Sequence, residues 1–97
     1  DEQLAALNAK RGLFQLERSF DKAMDEWFVA EANRQIMPGD ERIAAETRIR
    51  TYAATEMART LIHMVDGDMS QLTEGTRRSI GILAHRDTSL LDAAEGG

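Results

Sequence analysis

The sequence predicts an all-α fold: an antiparallel helical hairpin with a long first helix, plus a third helix, forming an up-down-up three-helix bundle. Three observations predict it. There is a single proline among 97 residues, Pro38. Ala, Glu, Leu, Arg and Met, all good helix formers, dominate the patterned stretches, and β-branched residues are few. The apolar positions recur with the period of a helix, about 100° per residue, rather than the alternation of a strand.

The first helix is expected over about 2–36. Ala6, Ala9, Leu13, Leu16, Phe20, Ala23, Met24, Trp27 and Phe28 fall within about 140° of arc, the stripe of a helix that faces a core. Only Gly12 weakens it, by about 1 kcal/mol against Ala. Such a helix is about 50 Å long, more than a compact chain of this size needs, so either a kink at Gly12 or cover of its excess length by a second copy is expected. "MPGD", residues 37–40, supplies the stop: proline disfavours helix at and before its own position, Gly39 frees the turn, and Asp40 caps the helix after it.

The second helix is expected over about 41–65. Its apolar arc of Ala53, Ala54, Met57, Ala58, Leu61, Ile62, Met64 and Val65 covers nearly half the circumference, wide enough to touch two neighbours. "DGDM", residues 66–69, ends it, and Asp68 with Gln71 reads as a capping box opening a third helix over about 69–85. Met69, Leu72, Thr76, Ser79, Ile80 and Leu83 make its stripe. The single domain is thus expected over 1–88, with 89–97 a frayed tail carrying at most a turn capped by Ser89. A long helix beside two shorter ones leaves apolar surface over, so the bundle is expected to be completed by dimerisation.

Composition bounds function. Apolar residues make up 42% and charged residues 30%, as in a folded soluble protein. Seventeen acidic against twelve basic residues give a net charge of −5, which argues against nucleic acid as a partner. With no cysteine, disulfides, thiolate catalysis and Cys-based metal sites are excluded. That fits a cytoplasmic protein, although a chain that opens on Asp1 is expected to be trimmed or processed. No run of residues is apolar enough to span a membrane.

Four charged residues sit where the hairpin's inner arcs should be apolar: Glu31 and Arg34 on the first helix, Glu46 and Arg50 on the second. All flank the Pro38 turn, and cross-hairpin pairs Arg34–Glu46 and Glu31–Arg50 are expected. Glu17 and Glu31 project inward, and Glu56 and His63 lie seven residues apart on the second helix with Tyr52 and Arg59 nearby. Facing carboxylates and histidines build metal sites in helical bundles, so Glu56 and His63 are the alternative metal pair. Neither His63 nor His85 has a glutamate three residues before it, and no cofactor is expected.

Arg78 and His85 are separated by six residues, which sets them nearly in line on one helix face. The spacing resembles the Arg-x4–6-His motif of the HEPN superfamily of helical, dimeric RNases. The resemblance implies that Arg78 stabilises charge on a scissile phosphate and that His85 acts as general acid or base. Ser79 stands where that motif carries a polar residue, and no aromatic follows His85. The function expected from the chain as a whole is instead a small acidic protein–protein interaction module, a homodimeric regulatory or adaptor protein. Leu7, Phe14, Ala54, Ala58 and Ile62 are the expected apolar contacts, with Glu31, Arg34 and Arg50 lending specificity at the tip.

Overall fold

A computed structural model describes residues 1–90 of the chain and contains α1 (Glu2–Ile36), α2 (Glu41–Met64), a 3₁₀ turn (Met69–Gln71) and α3 (Glu74–Arg86). The architecture is the expected all-helical bundle. α1 opens on Asp1, whose carboxylate accepts from the Gln3 amide, and α2 opens on Asp40, which caps the amides of Arg42 and Ile43. α2 closes in a Schellman turn: Gly67 N–H donates to Ile62 O and Asp66 N–H to His63 O. Asp66 and Gly67 both take positive φ there, 54° and 81°, a region that glycine enters freely and aspartate tolerates.

The hairpin is held by packing and by two polar ties. Phe20, Met24 and Trp27 of α1 bury against Ala54, Ala58, Leu61 and Ile62 of α2, with Ile80, Leu83 and Ala84 of α3 closing the cluster. Each large side chain removed from water contributes about 1.5–3 kcal/mol. Trp27 Nε1 donates to Thr51 Oγ1 at 2.8 Å, and Thr47 Oγ1 donates to Ala30 O at 3.2 Å. These pairs fix the antiparallel register. In that register α2 runs out level with Gly12, where Met64 Cε stands 4.0 Å from the position a Cβ would occupy. Everything in α1 before that point is exposed.

Three expectations are corrected. The third helix begins at Glu74, not Met69. Asp68 caps the Ser70 amide rather than forming a box, Gln71 turning its amide to the Asp68 carboxylate and Val65 O. Leu72 is extended, and Thr73 becomes the cap of α3, its hydroxyl accepting from the Thr76 amide. The packed structure also continues past residue 88, because Leu90 is fully buried in the core; the remainder of the expected tail lies outside the described residues. Lastly, Ala54, Ala58 and Ile62 are 0%, 0% and 1% exposed, so they are not a free face for a partner. Two alanines one helical turn apart let α1 approach closely, and the wide apolar arc of α2 is covered from within by α1 and α3.

Candidate functional site

Two acidic residues organise the third helix. Glu17 and Glu31 lie fourteen residues apart on the inner face of α1, nearly in line, and are 8% and 6% exposed. Glu17 Oε2 accepts from the Thr73 amide at 2.9 Å and from the Thr76 hydroxyl at 2.7 Å. A carboxylate thus sits at the positive end of the α3 dipole and takes one amide that the helix leaves unpaired, that of Thr73. At the other end, Arg86 in the last turn of α3 reaches Glu31 Oε1 at 2.7 Å. α3 therefore runs parallel to α1 between two clamps, which completes the up-down-up order.

Burial alone would raise the Glu17 pKa; the Thr73 amide and the Thr76 and Thr73 hydroxyls outweigh it and hold the group below its ordinary value. The Glu31 carboxyl is likewise lowered, first by the Arg34 guanidinium and then by Arg86, against the cost of burial. Arg34 binds Glu31 through both Nε and Nη2, and Arg86 also lies over the Trp27 ring, 5.2 Å from its centroid.

The expected cross-hairpin pairs do not form. Glu31 takes Arg34 from its own helix and Arg86 from α3, while Arg50 takes Glu46 at 3.0 Å and Glu26 at 2.8 Å. The reason is rotational: Glu31 and Arg34 open on the α3 side of the hairpin, whereas Glu26, Glu46 and Arg50 share a groove on the opposite side. Being level with one another did not make them neighbours. Glu56 pairs with Arg59 at 2.6 Å and His63 is exposed, and no group of three potential metal ligands forms among the described residues.

Three surfaces remain. Leu4, Leu7 and Phe14 of α1 are 58%, 56% and 57% exposed, Phe14 at the edge of a groove with Thr73 and Thr76. Arg78 and His85 line one groove between α1 and α3, together with Trp27 and Phe28. Arg78 is otherwise held by Glu74 at 3.0 Å. The third surface was not anticipated: a groove of about 550 Å³ along α2 lined by Arg34, Arg48, Arg59 and Arg86 beside Tyr52 and Thr55. One sequence signal could have found part of it. Arg48 and Arg59 are eleven residues apart, three turns, and so lie within about 20° on one face. Arg34 and Arg86 come from other helices, and no spacing could announce them. No protein-family model, curated protein or solved structure matches this chain.

Proposed function

We propose that this chain is a helical protein–protein interaction module that works as a homodimer through the exposed start of α1. One observation carries the reading: Leu4 and Leu7 are exposed on a stretch, residues 2–11, in which every residue is exposed, and Phe14, at the edge of the groove beside Thr73 and Thr76, continues their row. Leu7 and Phe14 are nearly eclipsed and Leu4 lies about 60° from Leu7, so the three make one strip. A second copy is the proposed occupant because a two-fold axis uses the same strip twice: in an antiparallel pair centred near Ala9, Leu4 of one chain lies level with Phe14 of the other. Ala54, Ala58 and Ile62 take no part, and Glu31 acts inside the bundle rather than at a tip.

Light scattering tests the proposal. The wild type is expected at twice the 10.8 kDa chain mass, and Leu7→Glu at the mass of one chain with unchanged helical circular dichroism. A wild type that stays at one chain mass as its concentration is raised overturns it.

RNA cleavage by Arg78 and His85 is the second reading. It is favoured by the groove they share, where the half-exposed Phe28 ring offers a face on which a base could stack. RNA hydrolysis by the wild type that His85→Ala abolishes would move the assignment to a nuclease.

A further inference from the structure

The arginine-lined groove along α2 belongs to neither reading above. It is concave, and its volume of about 550 Å³ lies within the range of small-molecule sites. Its charges are unusual for this chain. Arg34 and Arg86 share the single carboxylate of Glu31. Arg59 is met by Glu56 at 2.6 Å and by Asp87 at 3.8 Å. Arg48 has no carboxylate partner among the described residues. Four guanidinium groups thus face three carboxylates, a local excess of positive charge on a chain of net charge −5.

The hydroxyls point the same way. Thr47, Thr51 and Thr55 follow one another at four-residue steps along the floor of the groove. The first two have structural work: Thr47 donates to Ala30 O and Ile43 O, and Thr51 donates to Thr47 O while accepting from Trp27. Thr55 is different. It is 7% exposed, yet its hydroxyl has no hydrogen-bond partner among the described residues. Every enclosed side-chain polar atom described is satisfied, so this hydroxyl opens onto the groove, where a ligand could take it. Ala44, the threonine methyls and the exposed Tyr52 ring give the same groove an apolar wall.

We infer that this groove binds a small organic anion, a carboxylate or phosphate ester on an apolar body, with Arg48 as the primary charge partner and the Thr55 hydroxyl as a second contact. The planar fork of arginine suits either oxyanion. Arg59 and Arg86 line the same groove, Arg59 held by Glu56 and Arg86 by the Glu31 carboxylate that it shares with Arg34.

The test is an NMR titration of the full chain with phenyl phosphate, benzoate and neutral benzamide. Trp27 is the only tryptophan, and its indole N–H bonds to Thr51, so that single proton reports on the groove floor. Saturable shifts are expected with one or both anions and none with benzamide; which anion binds tighter separates a phosphate from a carboxylate ligand. Arg48→Gln is expected to weaken binding by about tenfold or more and Thr55→Val by less, since a bond to a charged partner outweighs one to a hydroxyl. Arg42→Gln, a substitution outside the groove, should change nothing. Arg48 is exposed and has no ion-pair partner among the described residues, so its variant is expected to keep the wild-type circular dichroism. The absence of saturable shifts with both anions overturns the inference, as does Arg48→Gln binding as tightly as the wild type, or Arg42→Gln losing as much as Arg48→Gln.

Discussion

Residues 2–11 and 17–31 belong to one unbroken helix, yet they live in different surroundings. Every residue of the first segment is exposed, whereas the second buries Glu17, Phe20, Met24, Trp27, Ala30 and Glu31. Both segments carry apolar residues at helical spacing, and the first even continues the stripe through Ala6 and Ala9. What separates them is the length of the partner. α2 has 24 residues to the 35 of α1, and the Trp27–Thr51 tie sets where it runs out. Helix formation is a local property of this chain, while burial depends on what lies opposite.

The sharpest way to break the comparison is inside the second segment. Trp27→Ala removes a buried ring, the bond to Thr51 and the surface on which Arg86 rests, and is expected to destabilise the fold by about 3–5 kcal/mol in urea unfolding. A loss below about 1 kcal/mol would mean that the hairpin core does not depend on this side chain.

Glu17→Ala comes next, at about 2–3 kcal/mol, because it leaves the Thr73 amide and Thr76 hydroxyl without their acceptor at the start of α3. Hydrogen exchange should rise first in residues 74–80, and a uniform rise along the chain would contradict a local capping role.

Both buried acids contribute to the pH dependence. Their folded pKa values lie below the ordinary 4.5, so their stabilisation is fully present above that pH and is lost as pH falls through the lowered values. Thermal unfolding is therefore expected to weaken below about pH 4.5 in the wild type and to fall less steeply in Glu31→Gln. Equal acid slopes in the two proteins would remove Glu31 from the account.

The smallest expected effect sharpens the contrast from the other side. Leu4→Ala should change the stability of an isolated chain by no more than about 0.5 kcal/mol. Chemical denaturation of the Leu7→Glu background, which is expected to stay at one chain mass, measures it.

How far the sequence carried can be judged element by element. The hairpin turn was legible because proline, glycine and aspartate at 38–40 act on their own backbone and on the next turn. The stripe on α1 was legible because periodicity needs no knowledge of the partner. The start of α3 was not, because Glu17, 56 residues upstream, takes the Thr73 amide. Nor was the pairing around the tip: Glu31 found Arg86, 55 residues away, where an axial position on the hairpin suggested Arg50. The groove along α2 was half legible, since Arg48 and Arg59 share a face by spacing while Arg34 and Arg86 join only in three dimensions.

By itself the sequence determined that this chain is helical, where its first two helices begin and end, and which side of each is apolar. Those properties come from backbone preferences and from contacts within a few turns. Only the tertiary structure decided that Ala54, Ala58 and Ile62 are covered from within, that Glu17 and Glu31 hold the two ends of α3, and that residues 2–11 of α1 are left exposed among the described residues. Those outcomes depend on helix register and rotation, which are fixed by packing among residues distant in the chain.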